Sequence, residues 1–473
     1  MEVAKGTLTW YSKVGNYLPS FASRSTIVEN ECKIVDMLFH STGLSDYDVL
    51  WDGPDNRLLL SRADAVPIFA VLPSAGTFRA SFVYNNWGYE LVGQILERVT
   101  GKSLSQLLHE RFFKPLNMTR TSTQWDHPSR NMANSYTVLD DRSVIQVPRP
   151  TMEKGNLMEA AGGVKSSLGD LILLYTEMLE ALTSADANEQ PPNNVFRNSL
   201  EIFGSTHPLP GWSLREQSYG MGWCRAQLPG QLGRISENVA LRPQPVVGKD
   251  SPSRLDIYHH GSMCGSTTVV NLIPETQSVV IALRNSLGPV DVADFAAELL
   301  IECLLNVPKP IEYVELALGD TLKAFEYMDR IKHQLDQERI PGTVARPATD
   351  YVGTYWNQMH NWRIDVSHDE EDLFVSLQGP SARRFPLEHY HYDTFSWWMP
   401  YNDVMRSAQY VIGTTAHTWL MQFEANNLEA IKRLKWALEG PLPDYQETFT
   451  RETTETAHDL TVPNLELLHL RGF

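Results

Sequence analysis

The chain has 473 residues, of which 42% are hydrophobic and 21% charged, and this composition excludes collagen-like, low-complexity and wholly disordered proteins. Its formal net charge of −17 argues against nucleic acid as a partner, and an anionic membrane surface should repel it. The 4 cysteines form neither a disulfide framework nor a zinc-binding pattern, and they fit a reducing compartment.

The first three hundred residues mix amphipathic helices with short strands, which indicates an α+β domain. Apolar side chains between residues 88 and 100 recur at helical spacing, and Gly101 supplies a stop signal. Short β-branched runs follow after residue 254, with a hairpin-type turn between the last two. Helices are predicted over residues 88–100, 104–112, 170–182 and 290–305, strands over 255–259, 267–272 and 279–283, and surface loops over 183–198 and 243–254.

The last third of the chain has a different pattern. Residues 312–337 predict a charged helix, and a proline- and glycine-containing boundary follows it. Short strand patterns then alternate with turns, which predicts a small all-β barrel or sandwich. The region holds half of the 12 tryptophans, and a packed barrel core explains them better than an aromatic-lined ligand mouth. Strands are predicted over residues 362–368, 373–377, 395–399, 410–412, 418–423 and 431–438.

A polar triplet, Tyr84-Asn85-Asn86, stands at the start of the first predicted helix. Side chains at such a position face a cleft, and the helix amides point outward. Tyr84 is a candidate for moving protons if nearby cations lower its pKa from the usual value of about 10. Asn86 is a candidate for orienting a carbonyl group. By composition alone, the triplet is better interpreted as a helix cap.

A second candidate segment, from Tyr258 to Gly265, follows a predicted strand. In a strand His259 and His260 face opposite sides, so one can line a cleft while the other packs. Gly261 and Gly265 allow a backbone to approach a ligand closely. By itself the segment indicates a bulged strand edge with one structural histidine. Neighbouring histidines on opposite faces cannot share a metal ion, and no cofactor-binding motif is present, so we expect neither a metal nor a cofactor.

Seven segments of the chain form an ordered set of motifs: residues 6–19, 37–44, 84–89, 113–118, 160–171, 219–223 and 259–265. Their order resembles that in β-lactamase-related serine hydrolases, the penicillin-binding-protein-like family that includes class C β-lactamases, D-aminopeptidases, esterases and fungal acyltransferases. Residues 84–89 resemble the family's Y-x-N motif, and residues 259–265 resemble its K-T-G position in the H-x-G variant. Each motif is weak by itself, but seven in order are specific. Residues 351–357 also resemble the start of the lipocalin-like C-terminal domain of many members.

The resemblance implies an α+β fold with helices around an antiparallel sheet, plus a small all-β lipocalin-like barrel. It implies acyl transfer through a covalent acyl-enzyme on a small-molecule ester or amide, without cofactor or metal, and suggests fungal specialised metabolism. Tyr84 would shuttle a proton, Asn86 would orient the substrate, and His259 would be the polar group at the K-T-G position. The remaining candidates, all for substrate binding, are His260, Gly261, Ser262 and Gly265.

The sequence departs from the family at the nucleophile, which lies in an S-x-x-K helix before the first matched segment. No lysine of this chain has a serine three residues before it. We therefore expect the front strands and nucleophile helix to be missing, and three interpretations stay open. The chain is part of a longer hydrolase or acyltransferase, or it is an inactive pseudoenzyme whose cleft binds a ligand or partner, or Ser262 or Ser266 serves as the nucleophile.

Domain limits and location follow from these patterns. We expect a β-lactamase-related domain over residues 1–305, a helical linker over 306–347, a lipocalin-like barrel over 348–442 and a tail over 443–473. No apolar stretch reaches the ~18 residues that span a bilayer, and no signal peptide is visible at the first residue. We expect a cytoplasmic protein, although a longer natural N-terminus could carry a targeting segment. Oligomeric state and substrate identity are not predicted.

Overall fold

The structure is a computed structural model in which the chain forms two compact units. Unit 1 comprises Met1–Arg330 and Pro400–Gly413, and unit 2 comprises Ile331–Met399 and Thr414–Phe473. The structure describes residues 2–125, 131–186, 195–196, 201–204, 206–211, 213–379, 383–410, 413–426, 430–438, 442 and 445–452.

Local sequence signals define the helices. Helix α4 begins at Asn86, because the Asn85 side chain caps it by accepting a hydrogen bond from the amide of Gly88. Gly101 ends it in the left-handed conformation, with φ +67°. This confirms the predicted helix, which begins two residues earlier than expected. The helices are α1 Thr26–Glu31, α2 Ile34–Leu38, α3 Ala65–Val71, α4 Asn86–Thr100, α5 Leu104–Leu108, α6 Glu159–Gly162, α7 Leu168–Asp186, α8 Glu201–Gly204, α9 Val292–Leu304, α10 Tyr313–Glu338 and α11 Tyr401–Arg406.

The other predicted helices also form. The α-helical part of the 104–112 prediction ends with α5, and a π-helical turn over His109–Phe113 follows it. Helix α7 extends four residues into the predicted loop 183–198, and of the remainder only residues 195–196 are described. Helices α9 and α10 match the predictions 290–305 and 312–337 within two residues.

A six-stranded antiparallel sheet organises unit 1, with the order β12-β11-β10-β7-β6-β5. The three predicted strands lie in β10, β11 and β12, and β10 continues four residues further, through His260 to Met263. Helix α9 packs against β11 and β12, and α7 packs against β12. The strands are β5 Thr206–Pro208, β6 Gln217–Gly220, β7 Trp223–Leu228, β10 Arg254–Met263, β11 Ser266–Ile273 and β12 Ser278–Arg284.

Short strands complete unit 1. The parallel pairing of β13 with β3 joins residues that are far apart in the chain, such as Ser286 and Tyr136, which a local pattern cannot predict. The segment Pro400–Gly413 also belongs to this unit, although it lies in the chain between barrel strands. The short strands are β1 Asp52–Gly53, β2 Arg57–Leu58, β3 Ser135–Val138, β4 Val144–Val147, β8 Gly230–Gln231, β9 Val246–Val247 and β13 Ser286–Leu287.

Unit 2 contains a closed barrel of eight antiparallel strands, which confirms the predicted all-β barrel. Trp362, Trp436 and Phe449 are each at most 1% exposed, so aromatic side chains fill its core. The predicted strand 410–412 is wrong at Tyr410, which lies in unit 1 outside any strand; the other two residues are not among the described ones. The strands are β14 Gly353–Trp356, β15 Arg363–Asp369, β16 Asp372–Leu377, β17 Phe385–His391, β18 Thr394–Ser396, β19 Leu420–Ala425, β20 Ile431–Trp436 and β21 Glu447–Arg451.

Candidate functional site

Tyr84 lies just before α4, and its ring joins an aromatic and histidine cluster. The centroid of the Tyr84 ring is 4.1 Å from that of His40 and 6.4 Å from that of His259. His40 comes from the turn after α2, and His259 comes from β10. The fold therefore brings the Y-x-N segment and the strand at the K-T-G position together, as the resemblance implies.

Asn85 and Asn86 have different roles in the structure. Asn85 caps the helix and donates its side-chain amide to the carbonyl of Ser45 at 2.7 Å, which confirms the helix-cap interpretation for this residue. Asn86 donates its side-chain amide to a carboxylate oxygen of Asp48 at 2.9 Å. The other oxygen of Asp48 accepts from the indole of Trp51 at 2.7 Å. The Asn86 side chain is therefore held by the Asp48 carboxylate, which is itself held by the Trp51 indole.

His259 is a neutral group in this site. Burial and the neighbouring His260 lower the pKa of His259 to about 4. Its Nε2 atom lies 3.4 Å from the hydroxyl oxygen of Tyr219. At neutral pH the position therefore offers an imidazole that donates and accepts hydrogen bonds, whereas the lysine of a K-T-G motif offers a positive charge.

His260 is directed away from the cluster and forms a buried ion pair with α9. Its Nε2 atom lies 2.8 Å from Oδ1 of Asp294, and both side chains are at most 3% exposed. The other oxygen of Asp294 accepts from Ser236 at 2.8 Å and from Asn238 at 3.0 Å. These contacts attach β10 to α9, so the structure does not bring His260 together with Tyr84 and His259. Its role in substrate binding stays a prediction.

Close packing leaves no free space for a side chain at two of the remaining candidate residues, Gly261 and Gly265. A Cβ atom on Gly261 would lie 2.6 Å from Oγ1 of Thr268 on the neighbouring strand. A Cβ atom on Gly265 would lie 2.5 Å from Cβ of Ser135, and the residue has φ +105°. Gly265 is therefore required by the turn between β10 and β11, independently of any ligand.

Ser262 belongs to a separate polar group on β10. Its hydroxyl oxygen lies 3.2 Å from that of Tyr410. Burial raises the pKa of Glu237, and the Ser262 hydroxyl opposes part of this effect. In the described part of the chain, no hydrogen bond joins Ser262 to His259 or His260. Tyr410 reaches this position because Pro400–Gly413 packs within unit 1.

The sequence interpretation missed three residues of the cluster, His40, Tyr89 and Tyr219. Tyr219 lies 3.2 Å from Nε2 of His40 and 3.4 Å from the hydroxyl of Tyr89. All three stand inside segments that carried the family resemblance, where they served only as markers of the fold. A buried histidine or tyrosine needs hydrogen-bond partners. That requirement was the one signal in the sequence that could have pointed to these residues.

The electrostatic surroundings of Tyr84 differ from the sequence-based expectation. A proton-moving tyrosine was expected to have nearby cations that lower its pKa. Burial instead raises the pKa of Tyr84, and Tyr89 and Asp48 add to the effect. Tyr84 is therefore a neutral phenol at physiological pH, suited to donating a hydrogen bond. An incoming cation or a bound substrate would be needed to lower its pKa.

The described residues form neither a metal-binding cluster nor a membrane-spanning helix. Across the described ranges, no group of three or more His, Cys, Asp or Glu side chains is arranged to hold a metal ion. Among the same residues no helix combines the length and apolar character that a bilayer span requires. Within this part of the chain the four cysteines are free, and three of them are buried.

Curated proteins with similar sequences include an unguisins hydrolase, a D-aminopeptidase and a penicillin-binding protein. An unguisins hydrolase of Aspergillus violaceofuscus is 27% identical over 33% of this chain and 27% of its own length. A D-aminopeptidase of Cereibacter sphaeroides is 25% identical over 42% of this chain and 36% of its own length. Penicillin-binding protein 4* of Bacillus subtilis is 25% identical over 49% of each chain. The chain thus spans less than two thirds of the length of these relatives.

A solved structure and two family models complete the comparison. The octameric penicillin-binding protein homologue of Pyrococcus abyssi is 18% identical, with a TM-score of 0.48 over 95% of this chain and 84% of its own. A domain of unknown function, DUF3471, matches residues 338–456. The β-lactamase family model matches residues 1–302, which is more than half of the chain. The chain belongs to the β-lactamase family.

Proposed function

We propose that this chain carries the substrate-orienting part of an acyl-transfer site in a serine hydrolase or acyltransferase that acts on a small-molecule ester or amide. The observation that carries the proposal is the meeting of Tyr84, before α4, with His259, on β10, 6.4 Å apart between ring centroids. The two residues are distant in sequence, and both stand in segments that resemble the motifs flanking the acyl group in the family.

Each group has a chemical task in this proposal. Tyr84 donates a hydrogen bond to the leaving-group atom, which is the oxygen of an ester or the nitrogen of an amide. Asn86, held by Asp48, orients the carbonyl side of the substrate. His259 contributes a neutral donor and acceptor beside the acyl group, and Gly261 keeps the strand free of a side chain there. The backbone of β10 offers amides to a developing oxyanion, an interaction worth ~3–4 kcal/mol in comparable sites.

The nucleophile is the decisive question. In the family reaction a serine oxygen bonds to the substrate carbonyl, the alcohol or amine leaves with a proton, and water then releases the acyl group. The printed sequence contains no S-x-x-K motif. Ser262 and Ser266 are the alternatives within the chain, but among the described residues neither hydroxyl forms a hydrogen bond with a histidine, and that of Ser262 lies 3.2 Å from the hydroxyl of Tyr410. That geometry favours a nucleophile supplied by a segment preceding Met1 in a longer product.

A fluorophosphonate probe and intact-protein mass spectrometry test the proposal. We expect no covalent label on the 473-residue chain. We expect labelling of a longer product if 5′ transcript mapping finds one with an in-frame S-x-x-K motif. If the 473-residue chain is labelled and Ser262→Ala or Ser266→Ala abolishes the label, that serine is the nucleophile. A transcript with no such motif, together with no labelling, would support a pseudoenzyme with a ligand-binding cleft and overturn the proposal.

The substrate class and the location are further parts of the proposal. The names of two relatives describe unguisins hydrolases of Aspergillus species, which supports a fungal specialised-metabolism amide or ester as substrate. Comparing the rate of hydrolysis of linear and cyclic peptides with that of p-nitrophenyl esters separates amide from ester specificity. We propose a cytoplasmic location, because the described cysteines are all free. Subcellular fractionation with an antibody against the native protein tests that location.

A further inference from the structure

A chain of hydrogen bonds connects His40, Tyr219 and His259. It begins at the backbone amide of Asn85, which can only donate. The backbone amide of Asn85 lies 3.0 Å from Nδ1 of His40, and a backbone amide only donates. The Nδ1 atom of His40 therefore carries no proton. The ring is neutral and carries its proton on Nε2, which donates to the hydroxyl oxygen of Tyr219 at 3.2 Å.

The proton of Tyr219 then has two candidate acceptors. The hydroxyl oxygen lies 3.4 Å from Nε2 of His259 and 3.4 Å from the hydroxyl oxygen of Tyr89. Tyr89 donates its own proton to the carbonyl of Leu38 at 3.0 Å. An unprotonated imidazole nitrogen is a stronger base than a phenol oxygen, and the bond received from His40 strengthens Tyr219 as a donor. His259 is therefore the favoured acceptor.

We propose that Tyr219 is a positioning residue for His259, and that together with His40 it holds the His259 proton on Nδ1. The inference rests on the proposed function, which assigns His259 to the substrate site. In this tautomer Nε2 of His259, which faces Tyr219, accepts a hydrogen bond, and Nδ1 is the donor of the ring. His259 then presents the substrate site with one defined tautomer.

Burial supports this arrangement. His40 and Tyr219 are each 1% exposed, so bulk water does not compete for their hydrogen bonds. Burial lowers the pKa of His40 to about 3, and the pKa of His259 is lowered to about 4 for the same reason. Both rings are neutral at physiological pH, which the tautomer assignment requires. The 3.4 Å distances are long, and such bonds in catalytic sites shorten when a substrate binds.

Long-range ¹H–¹⁵N correlation of the uniformly ¹⁵N-labelled chain reads the tautomer directly, with His259→Gln used to assign the His259 signals. We expect His259 to carry its proton on Nδ1. In Tyr219→Phe the ring should shift towards the other tautomer, and its titration midpoint should rise, because the donor to Nε2 is lost. Tyr89→Phe is the matched control and should leave the tautomer unchanged.

The outcomes separate this inference from the proposed function. A proton on Nε2 in the wild-type chain overturns the inference, and so does an unchanged tautomer in folded Tyr219→Phe. The wild-type spectrum decides the matter even where Tyr219→Phe does not fold. Covalent labelling with an Nε2 proton would support the proposed function and overturn the inference. If His259 carries its proton on Nδ1 but the fluorophosphonate probe labels no product, the inference is supported and the proposed function is overturned.

Discussion

Nε2 of His260 and Oδ1 of Asp294 form an ion pair 2.8 Å long whose side chains are only 3% and 2% exposed. Burial disfavours both charges, but the pair raises the pKa of His260 and lowers that of Asp294. The pair joins the strand that carries His259 to α9. Its strength therefore bears on the shape of the candidate site, although His260 itself is directed away from Tyr84.

Removing one partner of this pair should be costly. We expect Asp294→Asn to lower the free energy of unfolding by about 3–5 kcal/mol, because it leaves a buried histidine without its counter-ion. Urea unfolding followed by far-UV circular dichroism measures the change. Asp336→Asn is the control, because Asp336 forms an exposed pair with Lys332 and should have little effect. Equal losses in the two variants would contradict a stabilising role for the buried pair.

The same pair predicts a pH dependence with a definite sign. The pKa of His260 is raised in the folded state, so the folded chain binds more protons than the unfolded chain above the usual histidine pKa of about 6.5. The stabilisation from His260 is complete below that pH and is lost as the pH rises through the folded pKa. The stability difference between the wild type and His260→Gln should therefore shrink at alkaline pH.

Urea unfolding over a series of pH values measures this difference. His368→Gln, which changes an exposed histidine of β15, is the control for the loss of an imidazole that has no buried counter-ion. A difference that grows as the pH rises would mean that His260 is neutral in the folded chain.

Gly265 should tolerate no side chain. Alanine there would combine φ +105° with a Cβ atom 2.5 Å from Cβ of Ser135, and we expect thermal melts to show a loss of roughly 2–4 kcal/mol in the free energy of unfolding. Gly319→Ala is the matched control, because nothing lies within 4 Å of its added Cβ atom and it stands inside α10. That variant should be neutral or stabilising in the same melts. A neutral Gly265→Ala would show that the β10–β11 turn adapts.

The barrel core should depend on Trp362. Its ring packs 5.5 Å from that of Phe449 and 6.2 Å from that of Trp436, and the side chain is fully buried. Truncation to alanine should cost about 3–5 kcal/mol, since it removes a large buried side chain. Trp356→Ala, at a partly exposed position on β14, is the control and should cost less. Differential scanning calorimetry that finds equal losses would argue against the packed core.

The edge of the six-stranded sheet predicts a solubility problem. In the described part of the chain β12 pairs only with β11, and its Leu283 side chain is 44% exposed. Unpaired strand edges with apolar side chains promote association between chains. We expect Leu283→Lys to increase the soluble fraction on expression. Leu214→Lys is the control, because Leu214 is 88% exposed but lies outside any strand. Similar soluble fractions for the wild type and both variants would contradict this expectation.

The helices and strands that were predicted correctly have causes that lie within a few residues. Helix α4 has its cap, its apolar stripe and its terminal glycine inside one continuous segment. Strands β10 to β12 have alternating or continuous apolar runs bounded by turns. The failure at Tyr410 has the opposite cause, since its position depends on contacts with residues such as Ser262 on a distant strand.

The residues of the candidate site also divide into those that the sequence predicted and those that only the structure shows. Its three principal residues, Tyr84, Asn86 and His259, came from motifs whose order resembles a known family. His40 and Tyr219 stood in those motifs too, but their hydrogen bonds join residues 179 and 40 positions apart in the chain. No spacing rule connects such positions, so neither the tautomer of His259 nor its neutral state was accessible from the sequence.

The sequence by itself determined helices α4, α5, α7, α9 and α10, strands β10 to β12, the barrel, the family resemblance and the lack of a lysine with a serine three residues before it. Those features depend on side-chain periodicity and motif order, which are written along the chain. Only the tertiary structure decided which histidine faces Tyr84, because that depends on how β10 packs against α9. It also decided the protonation of the buried groups, since burial and distant charges set their pKa values.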